Sequence, residues 1–393
     1  MNPLMSAFED RDSEMYMDNA ATTAMSEEVI AEMTPYLEER YGNPETQYHL
    51  GREAKEAVEV ARVRVSRLVG CKPEEVFFTS GGTEANNWAL KGFKYSQNYS
   101  DPKGLVVGSV EHESILRPAE WVTSREICSC MGWIEVNANG VVDMDVLKDC
   151  IGKSAGLVSV QYANNETGAI QPVKEIAEAC KELGARYHCD AVQAAGKIPI
   201  DMDDDGIDML TLSAHKLHGP MGVGALCIRE GIPMDPLMHG GPHQDGRRAG
   251  TIPVPQVVGF GKAAEMAFSW RREMERIRKV RNKMVLTLKE RMDAIVYGGD
   301  NVLPTIISFT VPGVEASAVC GVLCERYGVC ISTGAACSRG ADSHVLSAMG
   351  VGKEHRRSSF RISLSVTNTE VEGVIAVDRI QAAIREAGKR EMI

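Results

Sequence analysis

No apolar run in the 393-residue chain approaches the roughly 18 residues that a membrane-spanning helix needs, so a helical membrane protein is excluded. Basic residues are outnumbered, 43 Lys and Arg against 54 Asp and Glu. The net charge of −11 argues against direct binding to nucleic acid or an anionic membrane surface. Residues 1–12 lack an apolar core and carry Glu9, Asp10 and Asp12, so they read as neither a signal nor a transit peptide. A cytoplasmic protein is expected by elimination. Regular cysteine spacing is missing too: the cysteines number eleven, without a repeated interval, and read as free thiols. Cys71, Cys180, Cys189 and Cys227 stand among apolar or helical residues, as small core fillers do. Cys128-Ser129-Cys130 and the pair Cys320 and Cys324 have no second pair at zinc-site spacing, and no metal is expected. Neither an internal repeat nor a low-complexity linker is visible.

What is present is an ordinary globular composition, 44% hydrophobic and 25% charged, in a chain long enough for two or three domain-sized units. Short apolar segments alternate with amphipathic ones. Val76–Ser80, Gly104–Val110, Gly156–Tyr162, Ala185–Cys189 and Ile207–Leu212 read as strands; Glu84–Lys94 and Val173–Leu183 read as helices. This alternation predicts an α/β fold with a mostly parallel sheet covered by helices, whose ligands bind at the carboxyl ends of the strands. One long helix is predicted from Lys262 to Met292, with Ala263, Met266, Ala267, Trp270, Met274, Ile277 and Met284 on its packed stripe. It would bridge to a smaller α+β unit made of Pro304–Val311, helix Ala316–Tyr327, Ser359–Ser365 and helix Thr369–Glu386.

The polar residues at the strand ends carry the chemistry. The run Ile207–Leu212 leads into Ser213-Ala214-His215-Lys216 and is then broken by a glycine-rich stretch through Gly224. A partly desolvated lysine has a lowered pKa and can attack a carbonyl, as a pyridoxal-phosphate lysine must; a solvated strand end would suit the same residues. Asp190 ends the preceding strand and could keep a pyridine nitrogen protonated, or could simply cap the next helix. Gln193, one turn on, could reach a phenolic oxygen. Ser80-Gly81-Gly82-Thr83-Glu84 follows a strand and opens a helix, so Gly82 and Thr83 can sit against a phosphate, with Ser213 and His215 as further donors. His112 could stack on a ring and move protons, or serve structure alone. Cys337, set among glycines and small residues from Ser332 to Gly340, reads as an exposed thiol on a mobile loop.

Together these residues resemble a class V pyridoxal-phosphate enzyme of fold type I, specifically the cysteine desulfurases of the NifS/IscS type. The resemblance runs through nearly the whole chain: Met17-Asp18-Asn19-Ala20-Ala21-Thr22-Thr23, Gly42-Asn43-Pro44, Thr79–Glu84, Glu111-His112 and Asn164–Gly168. It continues through His188–Gln193, Ser213–Lys216, Arg248-Ala249-Gly250-Thr251, Gly334–Cys337 and Phe360–Leu364. It implies a large pyridoxal-phosphate-binding domain over 18–262 and a small domain of 1–17 and 263–393 that carries the cysteine loop. It further implies that Lys216 holds the cofactor as a Schiff base, that His112 stacks on the ring and that Asp190 pairs with its nitrogen. Gln193 and Asn164 would contact the phenolic oxygen. Thr83, Ser213 and His215 would bind the phosphate, with Thr251 supplied by the other subunit of a homodimer. Arg361, assisted by Asn43, would hold the carboxylate of L-cysteine, bidentate as a guanidinium allows. Cys337 would take the sulfur as a persulfide, leave L-alanine, and pass the sulfur to a protein acceptor for iron–sulfur cluster or other cofactor or nucleic-acid biosynthesis.

Departures from the family pattern fall around this chemistry. The loop from Cys337 to Leu346 is shorter by about two residues, which limits the reach of the thiol. Glu45-Thr46 follows Asn43-Pro44 in place of paired serines, Gly240–Asp245 replaces a triple glycine followed by Gln-Glu, and Ser365-Val366 replaces Gly-Arg. The sequence ends at Ile393 without the longer tail with which some members dock a scaffold. Competing readings are a selenocysteine lyase, a class V aminotransferase or other lyase for which Cys337 is incidental, and a non-catalytic sulfur- or metal-binding scaffold.

Overall fold

The computed structural model describes residues 14–96, 104–125, 127, 131–152, 155–334 and 342–390. In chain order its strands are β1 (Met15–Tyr16), β2 (Val76–Thr79), β3 (Gly104–Gly108), β4 (Met131–Ile134), β5 (Ala155–Ser159), β6 (Arg186–Asp190) and β7 (Met209–Ser213). Then come β8 (Gly224–Ile228), β9 (Ile295–Tyr297), β10 (Ile306–Thr310), β11 (Val329–Cys330), β12 (Ser332–Thr333) and β13 (Ser359–Ser363). The chain divides into two compact units. Thr23–Asn164 and Ala169–Arg271 form the larger; the residues up to Thr22, Asn165–Gly168 and the residues from Arg272 form the smaller.

The larger unit is built on a seven-stranded sheet in the order β2-β8-β7-β6-β5-β3-β4. Strands β7, β6, β5, β3 and β4 pair in parallel, and β8 runs antiparallel to both of its neighbours. The central strands are near-continuous apolar runs and are buried throughout, as strands covered on both faces must be. One face is closed by helices Gly82–Tyr95 and Glu113–Ser124. Their Trp88, Leu90, Phe93, Ile115 and Val122 join Leu105, Val107, Leu157 and Leu226 in one apolar cluster. Asp190 and Ser213 end neighbouring parallel strands, with Asp190 opposite Thr211. The α/β class and the mostly parallel sheet expected from the sequence are therefore what is found.

The smaller unit holds an antiparallel sheet in the order β12-β13-β10-β9, with β1 paired in parallel to β11. Phe309 and Phe360 face each other across β10 and β13 with stacked rings, centroids 5.2 Å apart. Such a pair contributes about 0.5–1.5 kcal/mol beyond the area it buries.

The single helix expected from Lys262 to Met292 is instead two, Val254–Phe268 and Arg271–Met292. Ser269 and Trp270 end the first: the Ser269 hydroxyl donates to the Met266 carbonyl, which relieves the backbone of continuing the helix. The Trp270 ring meets the His218 ring edge-on at 5.5 Å, which anchors the turn. The break coincides with the boundary between the units.

Candidate active site

Lys216 closes a single 3₁₀ turn, Ala214–Lys216, that continues directly from β7. Thr23 holds this turn from outside. Its N–H and hydroxyl both donate to the His215 carbonyl, at 2.9 and 3.0 Å, and its hydroxyl accepts from the His218 N–H at 2.8 Å. His218 lies in the left-handed region at φ 59°, which a non-glycine residue occupies only under constraint. The constraint is visible: its Nδ1–H donates to the Ala24 carbonyl at 2.8 Å, and Trp270 covers its ring. The last residue of the Met17–Thr23 motif thus shapes the lysine turn, a role that sequence alone did not reveal. Burial, and then the charges of Lys216 and Lys197, push His215 down to about 4, so at neutral pH its imidazole is uncharged.

The loop Ser80-Gly81-Gly82 meets this turn closely. Helix Gly82–Tyr95 begins with Gly81 as its cap, at φ 151°, a conformation open to glycine. A side chain at Gly224 would come within 2.5 Å of the Leu212 carbonyl and 2.8 Å of the Gly81 backbone, so β8 and the loop can touch only because Gly224 is bare. The first N–H groups of the helix, at Gly82 and Thr83, lack intrahelical partners by geometry, and the helix dipole adds positive potential there. Glu84 fixes the loop: it accepts from the Ser80 N–H at 2.8 Å and pairs in two bonds, 2.8 and 3.0 Å, with Arg248. Burial raises the Glu84 carboxyl, and the Ser80 and Arg248 bonds more than offset this, leaving it below the usual carboxylate range. Arg248 in turn ties the segment that bears the exposed Thr251 to the same helix.

Asp190 is buried. Its Oδ1 accepts from the Val192 N–H at 2.9 Å and its Oδ2 from Asn86 Nδ2 at 2.7 Å. The second Asn86 N–H goes to Ser114 Oγ at 2.8 Å, and Ser114 Oγ lies 2.7 Å from His112 Nδ1. The Ser114 backbone N–H also donates to Nδ1, making His112 the N-cap of helix Glu113–Ser124. A backbone N–H can only donate. Nδ1 is therefore the acceptor, the Ser114 hydroxyl donates to it, and the ring proton of neutral His112 sits on Nε2. One directed line of hydrogen bonds joins the carboxylate to the imidazole. Asn86 and Ser114 escaped the sequence reading. The signal for Asn86 was its place on a helical stripe otherwise filled by Ala85, Ala89, Leu90 and Phe93.

Beneath this line lies Glu111, fully buried, its Oε1 accepting from the Gln161 N–H at 2.7 Å. Burial first, and then nearby Asp190, raise its carboxyl far above the usual range, so it stays protonated. Lys197 Nζ donates to Gln193 Oε1 at 3.1 Å, which fixes the amide oxygen on that side. Asn164 is buried and its Nδ2 donates to the Val110 carbonyl at 3.0 Å. Thr83 and His112 line one cleft of ≈ 440 Å³.

These groups fit pyridoxal phosphate in kind. A buried carboxylate that accepts two N–H bonds suits a pyridinium, and the bare-backbone helix start suits a phosphate.

In the smaller unit, Arg361 is 1% exposed on β13. Its Nη2 pairs with Asp18 at 2.7 Å and its Nη1 donates to the Asn165 carbonyl at 3.1 Å, while Nε is buried without a partner among the described residues. A guanidinium oriented on two sides keeps further N–H donors, Nε among them, that can pair with an anion. Cys337 lies outside the described residues, as does the shortened stretch of its loop through 341. Both flanks are anchored: the Gly334 N–H donates to the Ser359 carbonyl at 2.9 Å, and the Ser343 hydroxyl donates to the buried Glu166. Asn43, in the larger unit, is exposed, and its Oδ1 accepts from the Glu45 N–H at 3.0 Å.

Among known proteins, the aminotransferase class-V family model matches residues 15–376. The cysteine desulfurase IscS of Dictyoglomus turgidum is 38% identical over 378 residues, covering 95% of each chain. A solved NifS-like protein superposes with a TM-score of 0.88 at 34% identity, over 94% of this chain and 98% of that one. SspA, solved in complex with cysteine, gives 0.80 at 30% identity over 90% and 100%.

Proposed function

The chain belongs to the class V aminotransferase family and is a pyridoxal-phosphate-dependent cysteine desulfurase of the IscS/NifS type, and on that premise we propose how its own residues divide the work. Its substrate is L-cysteine. Pyridoxal 5'-phosphate, when bound, supplies an electron sink for charge that develops at the substrate carbons. Lys216 Nζ holds the cofactor between turnovers and, once L-cysteine has displaced it, takes the proton from the substrate Cα. Asp190 keeps the ring nitrogen protonated. The N–H groups of Gly82 and Thr83, with the Thr83 and Ser213 hydroxyls and the neutral His215, hold the phosphate; Thr251 comes from the second subunit of a homodimer. Gln193 and Asn164 contact the phenolic oxygen, and His112 stacks on the ring and moves a proton at Nε2. Arg361, assisted by Asn43, holds the carboxylate.

The Cys337 thiolate then attacks the substrate sulfur. A new S–S bond forms as the substrate Cβ–S bond breaks, and the released electron pair stays on Cβ, which is protonated. L-cysteine and one thiol thereby become L-alanine and one persulfide, with no outside oxidant or reductant. The persulfide sulfur passes to a protein acceptor.

The observation that supports this assignment best is the directed line Asp190–Asn86–Ser114–His112, one strand away from the strand that delivers Lys216. Replacing Cys337 by Ala tests it. The variant keeps the yellow cofactor absorbance and its response to L-cysteine but forms neither persulfide nor sulfide. Wild-type sulfide release from Cys337→Ala would assign the sulfur chemistry elsewhere.

A further inference from the structure

Two thiols and a carboxylate with no role assigned above converge in the smaller unit. Cys324 Sγ lies 3.6 Å from Cys330 Sγ, and Cys330 Sγ donates to Glu14 Oε1 at 2.8 Å. All three ligand atoms lie within 4.8 Å of one another. They come from three elements: Cys324 from the last turn of helix Ala316–Tyr327, Cys330 from β11, and Glu14 from the residue just before β1. Their convergence is fixed by the parallel pairing of Met15 with Val329 and Tyr16 with Cys330, and by the bonds from Met15 N to the Gly328 carbonyl at 2.7 Å and from Met17 N to the Cys330 carbonyl at 2.9 Å.

We propose that Glu14, Cys324 and Cys330 form a binding site for a thiophilic divalent cation of the zinc type. Two thiolates on one tetrahedral zinc, each about 2.3 Å from it, stand about 3.8 Å apart, close to the observed sulfur separation. Two sulfurs and one carboxylate oxygen favour zinc over magnesium or calcium, which take oxygen ligands. Cys324 and Glu14 are exposed and Cys330 is part-exposed, so the ion has an entry path and a fourth position for water. Binding replaces the two thiol protons, which leave to solvent, and the carboxylate exchanges its thiol hydrogen bond for the metal. The ion would join the start of β1, the end of a helix and β11, which leads through β12 toward Cys337. The spacing Cys320 to Cys324 concealed the pair, because the second sulfur lies beyond the helix end at Gly328 and the oxygen comes from the other end of the chain.

The test uses the full-length, cofactor-loaded protein in a Cys337→Ala background, so that the catalytic thiol holds no metal. Dialysis against zinc chloride followed by metal analysis is expected to find one zinc per chain, and a further Cys324→Ser change to remove it. Glu14→Gln is expected to weaken binding at least tenfold without disturbing cofactor absorbance. Cobalt in place of zinc should give the intense long-wavelength bands of a tetrahedral ion and thiolate charge transfer. Zinc content and affinity unchanged by both Cys324→Ser and Glu14→Gln would overturn the assignment, as would a weak octahedral cobalt spectrum.

Discussion

Asn86 decides where Asp190 and His112 stand, because its two N–H groups are divided between the carboxylate and Ser114. Removing them in Asn86→Ala deprives a buried carboxylate of a charge-assisted hydrogen bond, which is a loss of about 1.5–3 kcal/mol, or tenfold or more in cofactor affinity. Equilibrium binding of pyridoxal phosphate checks the magnitude. The pH profile of kcat distinguishes positioning from general loosening, since only the former shifts it. Asn86→Asp, which sets a like charge against Asp190, should do more harm than Ala. Glu111 gives a second prediction at this scale. Burial raises its folded-state pKa, so between the ordinary carboxylate range and that raised value the folded state binds the extra proton, and stability falls as pH rises. Glu111→Gln has no such proton to lose. Its stability relative to wild type should grow as pH rises from about 4.5, which urea unfolding at several pH values would show. An advantage that shrinks with pH would contradict the assignment of a protonated Glu111.

Elements set how close these residues come. The sheet, its strand-end polar residues and the helices Val173–Leu183 and Ala316–Tyr327 were legible in the sequence, because continuous apolar runs, turn glycines and 3.6-residue stripes are local signals. What could not be read was set by contacts distant in sequence. Ser269 and Trp270 carry no strong breaking signal, and the helix ends there because the Trp270 ring has His218 to meet. Asn86 looked like one polar residue in a helix until Asp190, more than a hundred positions on, supplied its partner. Thr23 and Lys197 were likewise invisible until the His215 carbonyl and Gln193 were placed beside them. The Lys216 strand, by contrast, announced itself because the strand, the lysine and the glycines are contiguous. Gly224 tests the packing of these elements. A methyl group there meets backbone at 2.5 Å on one side and at 2.8 Å on the other, and neither can yield as a flexible side chain would. Gly224→Ala should therefore cost about 1–3 kcal/mol of stability and weaken phosphate retention, measured by urea unfolding and by cofactor release.

The roles proposed for Arg361, Lys216 and Cys337 all concern one L-cysteine, and they call for a pair of chains if Thr251 serves the neighbouring subunit. Sedimentation of the loaded enzyme should give a dimer, and Thr251→Ala should weaken cofactor binding without altering that dimer. No helix among the described residues is long and apolar enough to cross a membrane. The central claim is that Lys216 activates L-cysteine so that Cys337 can remove its sulfur. A single-turnover reaction with L-cysteine, stopped by thiol alkylation and read by peptide mass spectrometry with parallel quantitation of L-alanine, tests it most directly. The account predicts one added sulfur on Cys337 and an equal amount of L-alanine in the wild type, and neither product in Lys216→Ala. Alanine formed without sulfur on Cys337, or sulfur on Cys337 in the Lys216→Ala enzyme, would contradict it.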